Sequence, residues 1–456
     1  MVSGLWFLAA HISRCNGQVR ALGVYKPDQR LGRKAEGLLA AFHGEVLLMA
    51  HTDSSKGTAS GMERRGFLAA AGATALAFSL GAARAARADE KPKVELGLIG
   101  CGGRGHWIAD LFQKHGGFKF VAGADYFEDK VKSFGDKFGV DASRRYSGLN
   151  GYKKLLESKL DAVVVESPPY YHPEHAAAGV EAGKHVYVAK PMAVDVPGCQ
   201  TIADSGKKAT EKKLVFLIDF QTRANTLYQE AIKRVHNGDI GKVVNGEAVY
   251  YCGETWGNPT YDANNPEERL RHWGVDKLLS GDVITEQNIH ALDVAAWIID
   301  EAPLRAFGSC GRKGRSGAGN VNDHFAVIFW YPNDVLLSFA SKQYGQGHDD
   351  IGCRMFGKRG TIDTHYGGPV SIRGEVPYKG GGSGNIFTDG VVTNIATFHD
   401  SITNGKFDNA TVAPSVRSNL TTILGRTACY KGTTVTWDEM MKANEKLEFD
   451  TKGMKA

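Results

Sequence analysis

An α/β chain of two domains is what this sequence predicts: an N-terminal doubly wound parallel sheet, then a C-terminal α+β domain with a large, mainly antiparallel sheet. Two observations carry the prediction. From Lys93 to about residue 220, short apolar runs alternate with amphipathic stretches of helical length, the pattern of strands buried on both faces by crossover helices. Beyond Ile240 the apolar runs lengthen and are joined by Gly, Asn or Pro turns, the pattern of hairpins.

In order, Val94 to Ile99, Phe120 to Ala124, Ala162 to Val165, Val186 to Val188 and Leu214 to Ile218 read as the buried strands of the first domain. In the second, Val243 to Tyr251, Phe325 to Tyr331, Val335 to Ser341 and Cys353 to Asp363 read as longer strands, with Pro332-Asn333-Asp334 as a hairpin turn. One helix, about Gln287 to Ile299, is expected to pack beside the first domain. A second, Val416 to Tyr430, is expected to return and brace the pair. The glycine-rich stretch Lys379 to Gly384 reads as a flexible loop.

Ahead of the first strand the sequence changes character. Residues 1–61 show no sustained period and read as lying upstream of the true start. Residues 62–88 have the layout of a twin-arginine signal peptide. Arg64-Arg65 supply the charge, residues 67–83 the apolar stretch, and Ala86-Arg87-Ala88 the small-x-small cleavage site before Asp89. Residues 89–220 and 221–456 are then the two domains, and the expected location is the periplasm.

The net charge of +5 excludes little by itself. About 11 Lys+Arg and about 5 Asp+Glu fall in residues 1–88, which leaves the remainder nearly neutral. No basic patch or aromatic-basic repeat points to nucleic acid. Apart from the signal-like stretch, no apolar run reaches the roughly 18 residues of a membrane span. The 7 cysteines show neither a CxxC pair nor zinc-ligand spacing, so no metal is expected. A bridge from Cys252 to Cys310 or Cys353 is left open by their spacing.

The chemistry begins where the first strand ends. Gly100-Cys101-Gly102-Gly103-Arg104-Gly105 fits G-x-G-x-x-G between a strand and a helix. There the first glycine permits the tight turn, the second lets backbone approach a diphosphate, and the third allows close helix packing. Asp125 ends the second strand about 20 residues on, where a carboxylate accepts both ribose hydroxyls. It would repel a 2′-phosphate, so NAD is favoured over NADP. This is the Rossmann arrangement.

Further along stand Ser167-Pro168-Pro169-Tyr170-Tyr171-His172 and Gly183-Lys184-His185-Val186-Tyr187-Val188-Ala189-Lys190-Pro191. Here the chain resembles the Gfo/Idh/MocA oxidoreductases, which show (T/S)-P-N-x-x-H and G-K-H-V-x-x-E-K-P at these places. The resemblance spans essentially all of residues 89–456. It implies that Ser167, Pro168 and His172 border the cofactor and that Lys190 stands beside the nicotinamide and the substrate hydroxyl. Pro169 replaces the usual Asn, and Ala189 replaces the usual Glu, which leaves Lys190 without that carboxylate neighbour.

A second segment runs Gly281-Asp282-Val283-Ile284-Thr285-Glu286-Gln287-Asn288-Ile289-His290-Ala291-Leu292-Asp293. The family pattern is a glycine turn followed by D-x-x-x-H on a helix, so Glu286 takes the acid position and His290 the histidine. An i, i+4 spacing puts both on one helical face, with His290 as general base and Asp293 expected to orient either His290 or the helix start. Arg223, Arg271 and Trp273 are expected to bind substrate, since guanidinium donors and an apolar ring face suit a sugar.

The implied activity is hydride transfer between a sugar or cyclic polyol hydroxyl and a tightly bound nicotinamide dinucleotide. The alternative is a redox-neutral glycoside hydrolase or lyase acting through a transient keto-sugar. The broad second sheet is expected to support a homodimer or homotetramer.

Overall fold

The structure, a computed structural model, describes residues 93–456; the stretches read as upstream sequence and signal peptide lie outside the described residues. Six strands form the first sheet: β1 (Val94–Ile99), β2 (Phe118–Asp125), β3 (Arg145–Ser147), β4 (Ala162–Val165), β5 (His185–Ala189) and β6 (Phe216–Asp219). Every pairing is parallel, in the order β3-β2-β1-β4-β5-β6. The runs are continuous because helices cover both faces: all four residues of β4 are buried, as are the last four of β5. The exception is β3, three half-exposed residues with no apolar run to mark them.

Nine strands form the second sheet: β7 (Val243–Cys252), β8 (Arg305–Gly311), β9 (His324–Trp330), β10 (Leu336–Gln343), β11 (Asp350–Gly357), β12 (Gly360–His365), β13 (Pro369–Gly374), β14 (Tyr378–Gly382) and β15 (Val435–Thr436). The order is β14-β13-β12-β11-β7-β10-β9-β8-β15. All pairings are antiparallel except β7 with β10, so the sheet is mixed at its centre. Pro332–Asp334 makes the turn between β9 and β10. The run Cys353 to Asp363 is not one strand but two, because β11 and β12 fold back on each other across Lys358-Arg359. The glycine-rich stretch read as a loop is largely β14, paired with β13. Glycines there lower β propensity, yet the backbone ladder forms without side chains.

Three helices lie between or beside the sheets. Ile289–Ile299 packs on β7, β11 and the helix Val412–Lys431 rather than chiefly against the first domain. Val412–Lys431 does brace the pair, touching the helix Val196–Glu211 and β6 on one side and β8 and β9 on the other. A helix that the sequence reading did not place, Ile386–Asn404, returns to the first sheet beside Gly103–His115 and β6. Phe398 from it packs edge-on against Tyr187. All six described cysteines are free thiols, so neither proposed bridge from Cys252 nor any other forms among the described residues.

Candidate active site

Two of the turn glycines are required by the protein's own packing. Gly100 has φ +97°, and a Cβ there would stand 2.4 Å from the backbone of Glu166; one at Gly105 would stand 2.0 Å from the Gly100 carbonyl oxygen. Gly102 and Gly103 differ, since a Cβ on either meets nothing within 4 Å. Those two are open on the side of a cleft of about 230 Å³ lined by Gly102, Asp125, Ser167, Pro168, Arg271 and Trp273. Gly102 is the N-cap of the helix Gly103–His115 and offers no side-chain acceptor to its first-turn N–H groups, the arrangement that receives a diphosphate.

Asp125 is fixed at the same cleft. Its carboxylate accepts from the Cys101 N–H (2.7 Å) and the Phe127 N–H (2.9 Å), while burial raises its pKa above the usual value. The Cys101 side chain turns into the core, so only its backbone serves the turn. Ser167 lines the cleft and bonds His175 (2.9 Å). His172 does not reach the cleft: its ring nitrogens lie 2.8 and 2.5 Å from the Pro191 and Ser167 carbonyls, and the neutral ring donates to one of the two. Burial brings His172 down to about 4 and His175 to about 3, so both are neutral imidazoles.

At the domain junction, Lys190 follows β5 through a cis bond to Pro191. Its Nζ donates to the Glu286 carbonyl (2.7 Å) and to Glu286 Oε1 (3.2 Å), so the lysine does have a carboxylate neighbour, supplied from another element. The expected single helix is broken. Val283–Glu286 is one turn, and Ile289–Ile299 begins after Gln287-Asn288, which sends Glu286 to Lys190. His290 is buried with Nδ1 unpartnered and its ring 5.3 Å from that of Tyr366. Burial, then the charges of Lys190 and Arg104, hold its pKa well below the ordinary histidine value.

Other expected members are placed differently. Arg223 gives three bonds to the Asp293 carboxylate (2.8, 3.0 and 3.1 Å), so its donors are committed to an ion pair rather than aimed at a ligand, and Asp293 orients Arg223 rather than His290. Arg271 lies at the Asp125 end of the cleft, its guanidinium 3.9 Å over the Phe127 ring. Trp273 lines the cleft 5.9 Å from Trp256.

The sequence reading missed Glu166 and Asp219, which follow β4 and end β6 as carboxylates with fully buried side chains. A charged residue closing an all-apolar strand run at the carboxyl edge was the available signal. It also missed the tail. Residues 444–456 lie against residues at the cleft: the Phe449 N–H meets Tyr170 Oη (3.2 Å), the Lys455 N–H meets Tyr126 Oη (3.1 Å), and Leu149 donates to the Lys455 carbonyl (3.0 Å).

Residues 94–217 match the family described as oxidoreductase family, NAD-binding Rossmann fold, and residues 228–363 match the GFO/IDH/MocA C-terminal domain. Among curated relatives, inositol 2-dehydrogenase 3 of Saccharopolyspora erythraea is 27% identical over 324 residues, covering 68% of this chain and 86% of the relative. Inositol 2-dehydrogenase of Burkholderia cenocepacia is 27% identical over 276 residues, 59% of this chain and 72% of the relative. The fold matches myo-inositol 2-dehydrogenase from Lactobacillus plantarum (TM-score 0.59, 17% identity, 75% of this chain and 99% of that one). It also matches aldose-aldose oxidoreductase from Caulobacter crescentus (TM-score 0.58, 18%, 75% and 99%).

Proposed function

Because the chain belongs to the Gfo/Idh/MocA oxidoreductase family, we propose that it oxidises a CH–OH group of a sugar or cyclic polyol, or reduces the corresponding carbonyl, with NAD as its nicotinamide cofactor. The observation that carries this reading is the meeting of Lys190, Glu286 and a buried His290 with a free Nδ1 at the domain junction. The open glycines and Asp125 fit a dinucleotide, which supplies the hydride acceptor when bound. His290, neutral at pH 7, accepts the hydroxyl proton. Lys190, held by Glu286, donates to the same oxygen and polarises it. Trp273 lines the cleft at its Asp125 end, and the lining of that cleft does not include Lys190 or His290, so Trp273 is not assigned to the substrate ring.

Export by the twin-arginine route to the periplasm, with cofactor loaded beforehand, belongs to the same proposal. It is supported by Arg64-Arg65 and the cleavage pattern, and retention is supported by the tail packed against Tyr126 and Tyr170 beside the cleft. Self-association into a homodimer or homotetramer through the second sheet is supported by exposed Phe307, Ile328 and Leu336 on β8, β9 and β10.

The test is incubation of purified protein with myo-inositol, D-glucose and nitrophenyl glycosides, with and without added NAD. Stoichiometric NADH, lost in Lys190→Ala and His290→Ala, is the expected result. Aglycone release without net NADH replaces it with the redox-neutral reading, in which a retained cofactor is reset in each cycle. Activity unchanged in both variants removes the enzymatic assignment of these residues.

A further inference from the structure

A guanidinium taken out of water is costly to a fold unless a carboxylate or a set of oxygen acceptors receives it. Three partly buried arginines of this chain are met by ion pairs: Arg104 by Glu166 and Asp219, Arg223 by Asp293, and Arg269 by Asp276. Arg315 is met by oxygen acceptors, the Gly257 and Thr255 carbonyls and Gln343 Oε1. Arg426 has neither kind of reception. It is 5% exposed, yet it makes no ion pair among the described residues, and its one hydrogen bond among them runs from Nη1 to the Gly281 carbonyl (2.8 Å).

The helix Val412–Lys431 decides where that side chain goes. Ile423, Arg426, Thr427 and Tyr430 are spaced three and four apart and share one of its faces. That face lines a cavity of about 160 Å³ together with Val196, which opens the helix Val196–Glu211, Met440 of the helix Trp437–Ala443, and Leu447 of the tail. The Nε and Nη2 donors of Arg426 have no partner and are not sealed in the packing, as the Nε donors of Arg315 and Arg417 are, so they open on this cavity. The hydroxyls there are already engaged: Thr427 Oγ1 donates to the Ile423 carbonyl (2.8 Å) and Tyr430 Oη to Asp282. Asp282, next to the carbonyl that Arg426 meets, is itself taken up by the Val283 N–H, the Asn322 N–H, Asn322 Nδ2 and Tyr430. Lys431 and Glu445 stand exposed at the rim, opposite in sign and screened by water.

What the cavity leaves unanswered is one positive charge with a planar two-pronged donor edge, set beside the apolar side chains of Val196, Ile423, Met440 and Leu447. We propose that it is a second binding site, sharing no lining residue with the cofactor cleft, for a small organic monocarboxylate whose two oxygens take the free edge of Arg426 and whose short hydrocarbon body lies on those four side chains. One negative charge balances the guanidinium. A dianion such as phosphate would bring a second charge against apolar surface, and a neutral ligand would leave the arginine as it stands.

The test is ligand-detected NMR of sodium butyrate with the full-length protein free of cofactor, where no turnover is needed. Saturable binding is expected, with n-butanol, which keeps the body and lacks the carboxylate, about tenfold weaker or more, and inorganic phosphate weaker than butyrate. Arg426→Met, apolar and similar in length, is expected to weaken butyrate about tenfold or more. Lys190→Ala removes a buried cation at the catalytic junction that a carboxylate could also seek, and is expected to leave butyrate binding near wild type. Should Arg426→Met fail to fold, Arg426→Lys keeps the charge but not the planar edge and is expected to weaken butyrate about threefold or more. Absence of saturable binding, n-butanol or phosphate binding as tightly as butyrate, or loss of binding in Lys190→Ala overturns the proposal. So does a weakening of less than about threefold in whichever Arg426 variant folds.

Discussion

Replacing Gly102 by alanine is expected to leave the fold as stable as before or slightly more so while removing most of the affinity for NAD, and the opposite signs make the experiment informative. Gly102 has φ −74° and ψ −165°, a conformation alanine adopts without strain, and its Cβ would meet nothing within 4 Å. Alanine there narrows the unfolded ensemble, a gain of about 0.4–1 kcal/mol. The same methyl projects into the open side of the turn, between a diphosphate and the N–H groups meant to receive it. Losing one or two charged hydrogen bonds at about 1.5–3 kcal/mol each gives a loss of roughly 2–4 kcal/mol, or about 30- to 1,000-fold in Kd. Calorimetric titration of cofactor-free protein with NAD measures the second effect, and thermal unfolding without NAD the first. Gly105→Ala is the control with the other outcome, because its Cβ would stand 2.0 Å from the Gly100 carbonyl and destabilise the fold directly. NAD binding within threefold of wild type in Gly102→Ala would refute the assignment of this turn to a diphosphate.

Two further perturbations follow from the same geometry. Arg223→Ala leaves the fully buried Asp293 carboxylate without its bidentate partner and is expected to cost about 3–5 kcal/mol in denaturant unfolding, with Arg223→Ala/Asp293→Ala costing less than the single change. Phe449→Ala removes the tail's buried ring from Leu270, Leu279 and the Arg269 guanidinium 4.9 Å above it; stopped-flow fluorescence is expected to show bound NADH leaving about tenfold faster or more, and an unchanged rate would separate the tail from cofactor retention.

What the sequence disclosed and what it withheld divide by the range of the contacts. The glycine turn, Asp125 and the position of Lys190 are local features of strand ends, and each strand from β1 to β6 except β3 announces itself by a short apolar run, interrupted in β1 by Glu95. The partners are another matter. Arg104 and Asp219 are 115 positions apart, Lys190 and Glu286 are 96 apart, and Arg223 and Asp293 are 70 apart, so no spacing rule joins them. Glu286 and His290 fit an i, i+4 rule, yet the helix breaks at Gln287-Asn288 and gives them different partners. The family pattern marks Ala189 as a missing carboxylate but does not show that Glu286 meets the lysine. In the second domain, β14 hides in a run of glycines because backbone pairing requires no side-chain signal.

The buried charges also set how stability depends on acid, and here two kinds of group oppose one another. His172, at about 4, and His175, at about 3, are neutral in the folded protein and charged in the unfolded chain below about 6.5, and His290 is shifted in the same direction. In that window the unfolded state binds more protons, so these three weaken the fold as pH falls from about 6.5. Glu166 acts in reverse. Burial, only partly offset by Arg104, pushes its carboxyl up to about 7, so between about 7 and about 4.5 the folded state holds a proton that the unfolded chain has released. Acidification through that window favours folding at this one site. Glu166→Gln removes the favourable contribution and leaves the histidines, so the variant's unfolding free energy should fall more steeply with acid than that of the wild type. The difference is about one proton, or roughly 1.4 kcal/mol per pH unit. Urea unfolding of both proteins from pH 7.5 to pH 5 measures it, and because the remaining groups titrate alike in the two, their contributions cancel. Parallel curves would mean that Glu166 is ionised throughout, and that Arg104 compensates its burial in full.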